Sequence, residues 1–406
     1  MRSSVESMRP ADVAVVGGGV AGLAAARGLA LRGLSAAVVE GRGVGAGASG
    51  AAGGMLAPQA EADRRDELFD LLCASRAMYP DFAAALREES GVDVELDRTG
   101  TLYAAFTGHD EEEAARRYEW QSRAGLAVER LTGEKARALE PQLSPHVRGA
   151  LLFPEDWQVE NRQLTRALAV SCLRLGVRVH AQTEAGAVRV ELGRATGVET
   201  SRGFLGAGAV VLAAGAWASR LPFVAGGAGA GGGKALNFKH PEVEPVRGQM
   251  LCFEQAAVEA PIRHVIYSPR GYLVPRHDGR LLAGSTTEHA GFDCEVTVGG
   301  LNAVTSHALE LAPRVAALRL RDSWAGLRPR SADGWPVLGE SEDVGGLFYA
   351  AGLYRNGILL APAVGELTAA LVAEGGLATL GSLPPQTLSA FSPARFGRAL
   401  AGASRP

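Results

Sequence analysis

Apolar and polar positions along this chain follow two periods, and the clearest block lies near its start. Four consecutive apolar residues, Val13 to Val16, predict a strand buried on both faces. Three glycines follow, then an Ala/Leu-rich helical pattern reaching Gly33, then a second apolar run that ends in Glu40. Helical periodicity recurs at residues 66–89 (Leu68, Leu71, Leu72, Phe82, Leu86), 111–124 and 161–175, the last ended by Gly176. A shorter helix is predicted over 132–139, with Thr-Gly-Glu-Lys at its start. Strand patterns cover 92–107, 177–213 and most of 246–298. A helix over 300–318, the stretch 324–338, a strand over 347–351 and a last helix from Gly357 complete the pattern. Residues 1–10 read as a loosely ordered lead-in, and no internal repeat is apparent.

The early glycines, Gly17, Gly19 and Gly22, have GxGxxG spacing. Gly17 permits a tight turn, Gly19 lets backbone approach a pyrophosphate, and Gly22 lets helix and strand pack closely. Val20 and Ala21 open the helix whose free N–H groups face such a phosphate. Glu40, about 20 residues on, stands where a carboxylate accepts hydrogen bonds from a ribose. GxGxxG alone also describes a glycine-rich turn in an ordinary α/β domain; strand, helix, second strand and acid in register favour a dinucleotide. The next stretch, residues 41–62, is rich in small residues. It reads either as a flexible linker or as a segment lying against a large flat ligand. A second apolar strand running into a glycine turn occurs at 209–219 (Ala-Val-Val-Leu-Ala-Ala-Gly-Ala-Trp-Ala-Ser).

Length and charge narrow the classes. A chain of 406 residues exceeds one small core, and 47% apolar with 21% charged residues describes a globular protein. The formal net charge of −3 and the lack of a basic run argue against nucleic acid as a partner. Cys73, Cys172, Cys252 and Cys294 lack metal-ligand spacing and read as buried thiols of a reducing compartment. No metal site is expected. The start, a charged lead-in before an apolar run, imitates a signal peptide, but the glycine motif accounts for that run. The apolar segment 357–373 carries Glu366 and Pro362 and is too short for a membrane span. A cytoplasmic enzyme is expected.

Several blocks together resemble the D-amino-acid oxidase family of FAD enzymes: GGGVAGLAAA with Glu40, GASGAAGGMLAP (47–58), RGQM (247–250), GYLVPRHDGRLLAGST (271–286), WAGLRPRSADGWPVLG (324–339) and AGLYRNGILLAP (351–362). Within that family they look most like its glycine-oxidising branch. Two departures stand out: Leu353, where the family usually has His, and a glycine-rich stretch at 225–233. The resemblance implies an α/β protein in which a Rossmann-type FAD-binding domain is interleaved with an α+β substrate domain having a mixed or antiparallel sheet. The boundaries read 11–90, 150–224 and 325–385 for the first, 91–149 and 240–324 for the second, with 225–239 a glycine-rich loop insertion.

For the cofactor, non-covalent FAD, the resemblance implies Ala48 and Ser49 beside phosphates and ring, together with Gly41, Arg42, Ala52, Gly53, Gly54 and Met55. From the later turns it adds Ala187, Ala214, Gly215 and Trp217. Over the flavin it places Arg328, Tyr354, Arg355, Asn356, Gly357, Ile358 and Leu359, the last four at a helix start whose N–H groups face the ring. No cysteine follows Cys294 and no histidine follows Glu40 closely, so covalent attachment is not expected.

At the substrate end the resemblance gives Arg328 as a bidentate carboxylate clamp; by residue type alone it reads as a solvated arginine paired with Asp333. Tyr272 is either a second donor to that carboxylate or a packing residue on a strand. Met55 stands near the pocket or fills core, and Arg355 is a second pocket cation or a surface residue. No general base stands out; His277 falls on a hairpin turn. The implied reaction is oxidation of glycine, sarcosine or small D-amino acids by hydride transfer, with O2 reduced to H2O2 and the imine feeding thiazole assembly for thiamine. A D-amino-acid dehydrogenase, a sarcosine oxidase and an FAD domain acting on modified tRNA are the alternatives. A homo-oligomer, dimer or tetramer, is also implied.

Overall fold

The computed structural model describes residues 8–226, 234–255, 259–376, 380–381 and 383–398. Among them the strands form a ten-stranded sheet, an eight-stranded sheet and one short pair, Met55–Leu56 with Trp157–Gln158. In the first sheet, Met8–Val16 runs parallel between Ala36–Val39 and Gly203–Leu212, and Leu347–Ala351 lies parallel to the far side of Gly203–Leu212.

Alternate residues of the opening strand feed two different cores. Val13 and Val15 pack beneath the helices Val20–Leu31, Glu67–Ser90, Asn161–Arg174 and Ala361–Glu374. Ala14 and Val16 pack with Val188, Val198 and Leu205 of the antiparallel ribbon on the opposite face. Both faces are covered, which is why the run shows no alternation. Helices Val20–Leu31 and Ala361–Glu374 meet backbone to backbone: a Cβ on Gly28 would lie 2.7 Å from the Gly365 carbonyl oxygen.

In the second sheet the long strand Val243–Glu254 pairs antiparallel with Arg280–Gly284 and Arg319–Ser331. Val265–Tyr267 runs parallel to Thr101–Ala105, so the sheet is mixed. Helix Val298–Leu311 covers it through Val304, Ala308 and Leu311, packed with Leu251, Leu273 and Ala283. The architecture is the expected α/β fold with mixed and antiparallel sheets.

Several element bounds differ from expectation. Over 92–107 only Thr101–Ala105 is a strand. The helix expected to reach residue 318 ends at Leu311, since Pro313 has no N–H to continue it. The helix expected from Gly357 starts at Ala361, with Pro362 in its first turn, residues 357–360 are turns, and two short helices, Pro385–Ser389 and Ala394–Arg398, follow it. Residues 150–153 and 325–331, expected with the dinucleotide portion, are strand residues of the second sheet. Of the glycine-rich stretch 225–233, residues 227–233 lie outside the described residues. All four cysteines are free; Cys172 and Cys252 are buried, whereas Cys73 and Cys294 are partly exposed.

Candidate active site

A cavity of about 800 Å³ runs between the two sheets, near the upper end of the range for small-molecule sites. Its first end is made by the glycine turn. Gly17 has φ +110°, and a Cβ there would lie 2.3 Å from the Ala213 carbonyl oxygen. A Cβ on Gly22 would lie 2.0 Å from the Gly17 oxygen, so Gly22 serves packing and lies behind the cavity wall. Gly19 and Ala21 line the cavity, and their N–H groups have no protein acceptor among the described residues. Ser49 Oγ accepts from Val20 N at 2.9 Å, tying the small-residue segment to the helix start. Glu40 accepts from the N–H groups of Gly18 (2.7 Å) and Arg42 (2.8 Å), which holds its carboxylate beside the turn.

Residues Gly41, Arg42, Ala48, Ala52, Gly53, Gly54 and Met55 continue the wall, so 41–62 is ligand-facing structure and no free linker. Buried Arg276 supports it from behind, donating to Gly53 O (2.8 Å) and Val159 O (2.9 Å). Burial pulls that guanidinium down to about 10. Ala214, Gly215 and Trp217 also line the cavity, and Arg42 stacks over the Trp217 ring. Ala187 does not: it is buried in strand Ala185–Glu191, and Glu184, Ala185 and Gly186 take the expected place on the wall.

At the opposite side, Tyr354, Arg355, Asn356, Gly357, Ile358 and Leu359 line the cavity. Tyr79 donates to Ile358 O, and Ser75 Oγ donates to Leu359 O at 2.7 Å. Because a trans peptide points its C=O and N–H in opposite directions, tying the Ile358 carbonyl to the long helix turns the Leu359 N–H away from it. The N–H groups of Gly357, Ile358 and Leu359 have no acceptor among the described residues. These free donors, and no helix beginning at Gly357, make the polar wall. Leu353 is buried in the core and also reaches this wall.

The remaining wall comes from the second sheet. Arg328 faces Gly248, where a Cβ would lie 2.3 Å from the guanidinium. Its Nη1 donates to Thr286 O (3.1 Å) and Arg247 O (3.5 Å), and Nη2 donates to Ser285 Oγ (2.5 Å). Among the described residues no carboxylate pairs with it; Asp333 is taken by Arg395 at 2.7 Å. Arg328 Nε–H and the second Nη2–H have no acceptor among the described residues. Arg355 instead pairs with Glu61 (3.2 Å) and donates to Tyr267 OH (3.4 Å), and that carboxylate raises its pKa. Tyr272 is buried, and its hydroxyl donates to Met250 Sδ at 3.3 Å. Met55 is half-buried on the wall beside it. His277 is exposed on its hairpin and lies outside the cavity. Gly248, Ser285, Glu61 and Met250 were not singled out from sequence; only the RGQM and LLAGST blocks marked three of their neighbourhoods.

A glycine turn with unpaired N–H groups at the end of parallel strands, facing a chamber lined by a second sheet, defines a dinucleotide-cofactor enzyme of two-sheet type. Residues 12–371 match the DAO family, described as FAD dependent oxidoreductase, and the chain belongs to that family. It is thus an FAD-dependent oxidoreductase. It is 38% identical over 366 residues to a glycine oxidase of Geobacillus kaustophilus, covering 89% of this chain and 92% of that one. It is 33% identical over 375 residues to a bifunctional protein ThiO/ThiG of Trichormus variabilis, covering 89% of this chain and 52% of that longer protein. A crystal structure of glycine oxidase from Geobacillus kaustophilus superposes with a TM-score of 0.85 at 35% identity, covering 95% of this chain and 98% of that one. Among the described residues, no helix is long and apolar enough to cross a membrane.

Proposed function

We propose that the chain is an amino-acid oxidase that deaminates glycine, and with it sarcosine or small D-amino acids. The observation that carries this reading is the unpaired fork of Arg328 inside the cavity. A guanidinium held by neutral acceptors keeps its full charge for a ligand, and two parallel N–H donors match one carboxylate. In this reading the free N–H groups of Gly19 and Ala21 receive the cofactor's pyrophosphate, Glu40 the ribose, and Gly357–Leu359 the electron-accepting edge of the flavin. When bound, FAD would supply the two-electron acceptor, with O2 the final oxidant, reduced to H2O2.

Arg328 fixes the substrate carboxylate, and Tyr272 and Met55 bound the space around its Cα. No histidine lines the cavity among the described residues, Glu40 and Glu61 are already engaged, and Glu184 stands beside Gly41 at the glycine-turn end, away from Arg328. The chain therefore offers no free base aimed at Cα, in keeping with loss of hydride from a neutral amine. The imine left on the substrate carbon hydrolyses to glyoxylate and ammonia, or passes to thiazole assembly for thiamine, as the likeness to ThiO/ThiG proteins suggests. Among the described residues no cysteine lines the cavity either, which fits the proposed non-covalent FAD. The same reading divides the chain into interleaved FAD and substrate domains, and takes it as a cytoplasmic dimer or tetramer, measurable by sedimentation.

The test is anaerobic addition of glycine to the purified yellow protein, followed by an O2 electrode with H2O2 detection. Bleaching and stoichiometric peroxide are expected. A panel of glycine, sarcosine, D-alanine and D-proline ranks the substrates. No bleaching with any of them overturns the reading, and bleaching without O2 uptake makes the protein a dehydrogenase.

A further inference from the structure

Arg328 is aimed by two backbone carbonyls, those of Thr286 and Arg247, and by Ser285 Oγ. Both carbonyl-bearing residues converge on one carboxylate that is not part of the cavity wall, that of Glu288. Glu288 Oε2 accepts from Arg247 Nη2 (2.6 Å) and Nε (3.1 Å). Its Oε1 accepts from Gln249 Nε2 (2.8 Å) and from the Thr286 hydroxyl. The backbones of residues 247 and 288 also exchange N–H···O bonds in both directions, at 2.9 and 3.0 Å. Gln249 N donates to the same Thr286 hydroxyl at 2.9 Å, closing the ring.

Four donors on one carboxylate make a rigid knot between the strand Val243–Glu254 and the segment after Arg280–Gly284. Burial works against its ionisation, but the bonds from Thr286, Arg247 and Gln249 hold the Glu288 carboxyl below its usual range. The guanidinium of Arg328 donates to both sides of this knot, to Arg247 O on the strand and to Thr286 O on the segment.

We propose that Glu288 is a positioning residue for the substrate carboxylate: it locks the Thr286 and Arg247 carbonyls that hold the Arg328 fork in place. The proposal rests on the reading of Arg328 as the carboxylate clamp. A neutral amide at 288 has one acceptor oxygen and turns an NH2 group toward donors, so the knot loosens and the fork swings. Carboxylate binding then weakens while the chemistry of a correctly bound substrate is little changed.

The test uses the FAD-loaded protein and methoxyacetate, a monocarboxylate with no oxidisable amine, titrated by its effect on the flavin absorbance. Glu288→Gln is expected to raise the methoxyacetate Kd and the glycine KM together by about tenfold or more, with kcat within about threefold. Asp293→Asn is the structural control. Asp293 accepts from the outer side of Arg247 at 2.7 Å and does not touch Thr286, so both constants should stay within about threefold. Thr286→Val keeps the carbonyl and removes the hydroxyl link, and should raise both constants in the same direction, by less. Unchanged methoxyacetate affinity in Glu288→Gln, or a fall in kcat with KM unchanged, overturns the proposal. If Glu288→Gln yields no folded flavoprotein, Thr286→Val decides, and an unchanged Kd there overturns it. Arg328→Ala separates the two readings: if it leaves methoxyacetate binding intact, the clamp itself is wrong. If it abolishes binding while Glu288→Gln does not weaken it, only the role of Glu288 falls.

Discussion

At its Gly17 end the cavity presents backbone N–H groups from one continuous stretch of chain, whereas at its Arg328 end it presents side chains from strands far apart in sequence. Between residues 17 and 57 the wall is built by short-range geometry: a positive-φ turn, a helix start, and small residues lying close. The Arg328 end draws on residues 247–250, 272, 285 and 328, brought together by antiparallel register. Backbone donors tolerate change in most side chains but no change in path. A side-chain clamp tolerates changes of path poorly and changes of identity not at all. The two ends should therefore fail in different ways.

The largest effect is expected from Gly17→Ala, because its Cβ meets the Ala213 carbonyl oxygen at 2.3 Å in a left-handed conformation. A cost on the order of 3 kcal/mol or more is expected, with loss of bound flavin, read as the 450 nm absorbance per protein and the Tm. Arg328→Ala should do the converse. Flavin content stays at wild-type level, while kcat/KM for glycine falls by about 10²- to 10³-fold, the loss expected when a charged pair loses a partner. Wild-type kcat/KM in that variant would erase the contrast between the two ends.

Acid sharpens the same contrast. Asp110 caps its helix at Phe106 and Thr107 N–H and pairs with Arg270 (3.0 Å), just ahead of the Tyr272 strand. Burial opposes its ionisation, but the Arg270 bond and the two N–H bonds bring its carboxyl down to about 2. A carboxyl depressed on folding stabilises above its ordinary value of 3.8, and that contribution is lost as pH falls from about 4 to about 2. Asp110→Asn should cost about 2 kcal/mol near neutral pH and flatten that part of the Tm–pH curve. The smallest effect is expected from Arg355→Met. Its pair with Glu61 is partly exposed and worth about 1 kcal/mol or less, so kcat/KM should change by less than about fivefold. A loss as large as that of Arg328→Ala would make Arg355 a second clamp.

The chain's own order determined the glycine turn, the acid at Glu40 and the strands buried on both faces, because each is set by neighbours within about 30 residues and by unbroken apolar runs. Arg328, Tyr272 and Arg355 were legible as candidates through their motif blocks, but not their partners. By residue type alone Arg328 read as a mate of Asp333, and only the fold gave Asp333 to Arg395 and left Arg328 without a carboxylate partner among the described residues. Glu61 beside Arg355, Ser285 under the guanidinium and Glu288 behind it carry no local signal. Ala187 shows the same limit in reverse: Glu184, Ala185 and Gly186 line the cavity, while Ala187, one residue further along the strand, is buried away from it. Local backbone geometry is written in adjacent residues, whereas side-chain partnership depends on strand register between segments tens of residues apart, and that only the packed molecule decides.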